Sequence, residues 1–243
     1  MGIKRYYATQ ENTITNAFKD NLITRGTGSN MGASDILEVF VIHGQTGAAI
    51  NAGNAEQTRV ILKFPIDQLV TDIDSGAVPS GSLEYRLKLY NAPHAATTPL
   101  SYSLDVEMVS QSWTEGRGLD MENYSDLGAS NWIQYSEGNA WTTEGGDVHA
   151  GTLNSSSIFF ETGLENLDVD VAFAVDQWRA ASGYAGTSKS NYGFRIRNTL
   201  GAISGSEGTL YTKKFFGRGS EYFLYRPVLE VRWDSSRHDN RGN

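Results

Sequence analysis

A chain of 243 residues with a net charge of −8, no cysteine, 26 glycines and only 5 prolines is long enough to bury a sizeable core as one domain. Its composition excludes several classes at once. Without cysteine there are neither disulfides nor thiolate metal sites, and an acidic chain repels phosphate backbones, so no nucleic-acid partner is expected. No apolar run approaches the roughly 20 residues that cross a bilayer. The start, Met1 to Tyr7, lacks the apolar stretch of a signal peptide, so the protein is expected in the cytoplasm that makes it or in an assembly built there.

Segment 1–24 is expected to be an N-terminal arm. The glycine loop Gly26, Gly28 and Met31 departs from a dinucleotide fingerprint, because Met31 stands where the third glycine belongs and a strand follows. That strand is 36–42 (ILEVFVI), rich in branched and aromatic residues. A second covers 58–66 with imperfect alternation and Pro65 near its end. Asp72, Asp74 and Gly76 imitate the start of a calcium loop, but position twelve is Leu83, so an exposed turn is expected there. Segment 82–91 alternates cleanly, Leu83, Tyr85, Leu87 and Leu89 against Glu84, Arg86 and Lys88, the period of a half-buried antiparallel strand. Segment 102–109 repeats the pattern with Tyr102, Leu104, Val106 and Met108.

Segment 113–153 is polar and glycine-rich, with scattered aromatics. Loops beyond roughly 12–15 residues usually carry function or small elements of their own, so it reads as an excursion at one end of the fold. Strands resume at 157–161 and 167–171, followed by one short helix, 172–181, anchored by Phe173 and Trp178 and stopped by Gly183. Strands at 192–198, 209–217 and 226–233 precede a polar tail, 235–243. The sum is an all-β chain, a two-sheet β-sandwich of jelly-roll type with one short helix and a long polar, aromatic insertion, in a single domain over 1–243.

No catalytic centre is legible. The histidines, His43, His94, His149 and His238, have no metal-ligand spacing. No nucleophile elbow sits between a strand and a helix, and 28 acidic residues nominate no carboxylate pair. Trp113, Tyr124, Trp132 and Trp141 are the candidates for stacking on a sugar ring; the competing reading makes them anchors of an excursion otherwise short of core residues. Lys213, Lys214, Phe215, Phe216 and Arg218 mix cations and aromatics. In an acidic chain they read as a strand edge or subunit contact rather than a nucleic-acid site.

Four patterns occur in order: Asn30-x-Gly32-x-Ser34 feeding a strand; Arg59 to Phe64 (RVILKF) with the strand 83–89 after it; 169–178 followed by Asn191, Tyr192, Gly193 and Phe194; and the closing 226–231 (RPVLEV). This succession, over about 25–233, resembles the DNRLRE family, jelly-roll modules related to alginate-binding carbohydrate modules. Many jelly-roll modules hold a structural calcium; here Asp35, Asp168 and Asp170 are among many candidates, so no cofactor is assigned and the metal question stays open. Segments 4–9, 24–39 and 212–220 are similar to virion structural proteins of tailed phages of aquatic bacteria. The resemblance implies a non-enzymatic particle component whose partners are other virion proteins and copies of itself. The alternative it implies is a module for surface polysaccharide.

Overall fold

The alternation of 84–89 becomes a strand with Tyr85, Leu87 and Leu89 inward and Arg86 and Lys88 outward, because side chains on extended backbone point to opposite faces in turn. The structure, a computed structural model, describes residues 1–43, 55–94, 100–120, 125–183, 186–204 and 210–236. In chain order it contains β1 (Gly2–Tyr7), β2 (Gln10–Thr15), β3 (Ile36–Ile42), β4 (Glu56–Lys63) and helix α1 (Ile66–Asp74). Strands β5 (Glu84–Leu89) and β6 (Tyr102–Met108) follow, then the small hairpin β7 (Gln134–Ser136) and β8 (Asn139–Ala140), and β9 (Ser155–Phe160). Next come β10 (Leu167–Asp170), α2 (Ala172–Ala181), β11 (Phe194–Asn198), α3 (Leu200–Ser204), β12 (Leu210–Phe216) and β13 (Val228–Trp233).

Two antiparallel sheets face each other. The smaller has the order β1-β13-β5-β10; the larger runs β12-β3-β4-β11-β6-β9, with β2 also paired to β4. Tyr85, Leu87, Leu229, Val231 and Val169 from the smaller sheet meet Leu37, Val39, Val60, Leu62, Leu104, Val106 and Phe194 from the larger one. This is the expected all-β sandwich, jelly-roll-like, and β3 and α2 fall where the sequence placed them.

Three parts differ from the sequence reading. The segment taken for an N-terminal arm is built into both sheets. Ala8 N donates to Pro227 O at 3.0 Å and Thr9 N to Lys63 O at 2.8 Å, so the chain crosses from one sheet to the other in two residues. The expected turn around Asp72 is the last part of α1, a second helix. Pro65 fits just ahead of it, where no intrahelical N–H is needed, and Leu69 and Ile73, four apart, face the core. Asp72 is buried and accepts hydrogen bonds from the Tyr6 hydroxyl (2.7 Å) and the Lys4 ammonium (2.7 Å), fastening α1 to β1. Third, the excursion lies not at one end but over the outer face of the larger sheet, where Trp113, Trp132 and Trp141 form a second apolar cluster with Ile14 of β2 and Ile61 of β4.

Gly193, between this layer and β11, has φ of +89°, and a Cβ there would collide with the carbonyl oxygen of Leu62. Gly183, at φ +97°, faces open space. Gly193→Ala is expected to cost more than about 2 kcal/mol and Gly183→Ala only about 1 kcal/mol, as read by chemical denaturation of the two variants side by side.

Candidate functional site

The three tryptophans are 4–7% exposed. Trp113 Nε1 donates to Tyr192 O (2.8 Å) and Trp141 Nε1 to Asn131 O (2.9 Å), so these two buried indoles have their polar atoms satisfied. Trp132 carries the Arg59 guanidinium on its face, 4.6 Å from the ring centroid, and Trp141 meets Tyr135 edge-on. The faces that would stack on a sugar are therefore covered by protein. Tyr124 lies outside the described residues.

Beneath this layer the outer sheet face is ionic. Glu107 of β6 accepts hydrogen bonds from both Arg195 and Arg197 of β11, at 2.6–3.0 Å. Burial works to raise the Glu107 carboxyl, and the two guanidiniums overcome it and hold it below the usual range. Arg197 also pairs with Asp105 at 3.1 Å. Among the described residues Arg59 has no such carboxylate in contact: it donates to the carbonyl oxygens of Glu144 and Gly145, and burial beside Arg195 and Arg197 pulls it down to about 9. Arg195 donates to Gly145 and Gly146 as well. Cations on the sheet thus hold the backbone of the excursion, and the layer is a structural one.

The exposed aromatic surface is elsewhere. Between Ser220 and Pro227 the chain makes a 3-10 turn at Phe223–Tyr225, and Tyr222, Phe223, Leu224 and Tyr225 are 53, 52, 65 and 45% exposed. Their neighbours come from three strand ends. Tyr7 packs on Phe223 (centroids 4.6 Å apart), Tyr90 on Tyr225 (5.5 Å) and Phe216 on Tyr225 (5.3 Å, stacked). The turn is held in place: Arg226 Nε donates to Ser220 O (2.9 Å), Tyr222 N to Ser220 Oγ (3.2 Å), and the guanidinium lies over Phe223. Beside it Tyr90, Asn91, Pro93, Asn166, Phe216 and Tyr225 line a depression of about 310 Å³. The signal was in the sequence, a run of four large apolar residues, Tyr222 to Tyr225, without strand alternation of its own, which is out of place on a surface unless it contacts something.

The basic stretch divides between different environments. Lys213 is buried and donates to Asn91 Oδ1, Gly163 O and Glu165 O at 2.6–2.8 Å, its amine pulled down by burial to about 8. Lys214 pairs with Glu38 (3.5 Å), Phe215 is core, and Phe216 joins the exposed rings. Arg218 pairs with Glu115, while its amide donates to both carboxylate oxygens of Glu11 at 2.6–2.7 Å. Glu11 is almost fully buried; burial, aided by nearby Glu115 and opposed by the Arg218 and Gly219 amides, pushes it up to about 7. Of the acidic candidates, Asp35 is exposed, Asp168 is held by Arg86 (2.7 Å) and Lys88 (3.4 Å), and Asp170 accepts from Ala172 N at the start of α2. Among the described residues no three His, Asp or Glu side chains converge as for a metal ion. The chain matches no family model, and no curated protein is significantly similar to it.

Two outcomes follow from this arrangement. Trp132→Ala is expected to cost about 3–5 kcal/mol of stability, the range for a buried ring, whereas Tyr222→Ala stays within about 0.5 kcal/mol; thermal unfolding of both variants decides it. The second concerns pH. A carboxyl whose folded value lies above its unfolded one contributes stability below the unfolded value and loses it as pH rises. Glu11 therefore strengthens the fold as pH falls from about 7 towards 4.5. Glu107 and Glu230, held low by their cations, lose their contribution under more acid conditions. The unfolding midpoint is expected to peak near pH ~5, and Glu11→Gln to flatten the slope on the neutral side.

Proposed function

We propose that this protein is a non-enzymatic structural component of a bacteriophage particle, a decoration, fibre or tail-associated jelly roll that works through contacts with copies of itself and with other particle proteins. The observation that carries the contact role is the aromatic turn, four large side chains held rigidly about half exposed above a ring of further aromatics. Aromatic side chains fixed in advance at a surface lose little freedom on association, and they dominate interface cores. The particle context rests on the likeness of segments 4–9, 24–39 and 212–220 to virion proteins. Among the described residues no helix is long and apolar enough to cross a membrane.

Purified particles are expected to contain the chain in fixed stoichiometry by quantitative mass spectrometry; its absence from them rejects the reading. A triple variant with Tyr222, Phe223 and Tyr225 changed to Ser is expected to fold, with an unchanged circular dichroism spectrum, and to be lost from particles.

A glycan-binding role has one observation in its favour. The depression beside the turn combines the rings of Tyr90, Phe216 and Tyr225 with the side-chain amides of Asn91 and Asn166, apolar faces with polar groups that fix orientation. On this reading Tyr90 and Tyr225 take the place of Trp113, Trp132 and Trp141. A polysaccharide array, run with and without calcium, is expected to give hits that Tyr225→Ala abolishes. An array with no hits rejects the glycan role and leaves the particle role standing.

A further inference from the structure

The smaller sheet ends in β1, and its hydrogen-bonding pattern can be followed residue by residue. β1 pairs with β13 from Gly2↔Trp233 to Tyr7↔Val228, and Ala8 N donates to Pro227 O on the next rung of the same ladder. Antiparallel rungs alternate between bonded and non-bonded pairs. Residues 2, 4, 6 and 8 therefore bond to β13, and the N–H and C=O groups of Ile3, Arg5 and Tyr7 point the other way. Among the described residues those six groups have no hydrogen-bonding partner. The register is unbroken over all six rungs, and the segment contains no proline, so two common devices that blunt an edge strand are missing.

Charge gives this edge a preference. Each cation on it is paired with an acid, but the acids are buried and the cations are not. Lys4 is 38% exposed against 9% for Asp72, and Arg5 is 44% exposed against 2% for Glu230. An approaching strand meets the positive member of both pairs, on a chain whose net charge is −8. Ile3, 45% exposed, adds an apolar step on the outer face, and Tyr7 leads to Phe223 and the aromatic turn.

We propose that β1 accepts an extended acidic segment of a partner protein as an added strand, with the aromatic turn receiving an apolar side chain at its Tyr7 end. Such strand addition draws affinity from main-chain hydrogen bonds and specificity from alternate side chains. A second copy of β1 is a poor occupant, because only Ile3, Arg5 and Tyr7 offer outward groups; the centred antiparallel register then sets Arg5 against Arg5, and like charges directly opposite are destabilising. The inference goes beyond the particle role and does not depend on it; a partner strand docks here in any setting.

The test uses the full chain, labelled for amide hydrogen exchange, and a synthetic peptide, Thr-Glu-Val-Glu-Val-Glu-Tyr-Thr, with a control carrying Lys for every Glu. The acidic peptide is expected to slow exchange at the amides of Ile3, Arg5 and Tyr7, whose neighbours Lys4 and Tyr6 are already protected by β13. Ile3→Pro removes one outward N–H and leaves the β13 ladder intact, so the protein folds and affinity falls about three- to tenfold, one hydrogen bond's worth. Ile3→Glu, which also keeps the ladder, is expected to weaken binding and to do so less at high salt. Four results overturn the proposal: no protection at these three amides, equal binding of the Lys peptide, protection confined to 222–226, or protection without peptide that grows with protein concentration. The last assigns the edge to a second copy, and the first leaves Lys4 and Arg5 as guards against stray pairing.

Discussion

Strand β4 is buried on both faces, and most of the architecture answers to that. Val60 and Leu62 point into the sandwich, while Ile61 points out beneath the tryptophan cluster and Arg59 lies against Trp132. A strand apolar on both sides must be covered on both sides, and here the second cover is a polar, glycine-rich excursion with little core of its own. It brings three indoles, and the sheet supplies Arg59 and Arg195, which donate to the carbonyls of Glu144, Gly145 and Gly146. Hydrogen bonds from charged donors are among the stronger ones. They fix backbone that has no ladder of its own. Of these guanidiniums Arg195, with its neighbour Arg197, has a buried acid in contact, and Glu107 fills that position between the two. Removing that acid alone leaves buried Arg195 without a paired carboxylate and Arg197 with Asp105 alone, which is why such pairs are costly to break even when they add little net stability.

How much of this was legible in the sequence depended on whether burial was one-sided. Strands β5, β6 and β13 bury one face against the core and leave the other to charges, so their period of two is plain. Strand β4 breaks the alternation at Val60-Ile61-Leu62 because both faces are covered, and from sequence the break reads as noise. Strand β2 was missed for a different reason. Apart from Ile14, its buried residues, Glu11, Asn12, Thr13 and Thr15, are polar, and some are held by hydrogen bonds to residues far away in the chain, such as Asn12 Nδ2 to Ser130 O at 2.9 Å. Helix α1 was hidden by Pro65, which reads equally as the end of a strand or as the residue ahead of a helix. For the site, the sequence singled out the insertion's aromatics, but whether an indole face is free depends on what lies beneath it. Ile14 and Ile61 are remote in sequence, so no local pattern announces that they are there.

The aromatics divide by chemistry. The buried tryptophans each carry one donor; those of Trp113 and Trp141 are spent on a backbone carbonyl. The exposed cluster is mostly tyrosine, and among the described residues the hydroxyls of Tyr7, Tyr90, Tyr222 and Tyr225 make no hydrogen bond. Rings that pack on one another while their hydroxyls face water form a surface that is apolar in body and polar in tip. Such a surface stays soluble alone and still gains from being covered, the balance that a reversible contact requires.

The free edge and the aromatic turn have a common origin in residues 2–15. β1 supplies the edge and Tyr7; two residues later the chain is in the other sheet, where Glu11 on β2 grips the amide of Arg218 with both carboxylate oxygens. Gly217 N also donates to Asp35 O at 2.7 Å, so the loop entering the turn is held from two sides before Arg226 closes it. The turn is therefore held both by hydrogen bonds at its base and by rings packed on it from three strand ends. A surface fixed in one shape before contact lowers the ordering cost of every contact it makes.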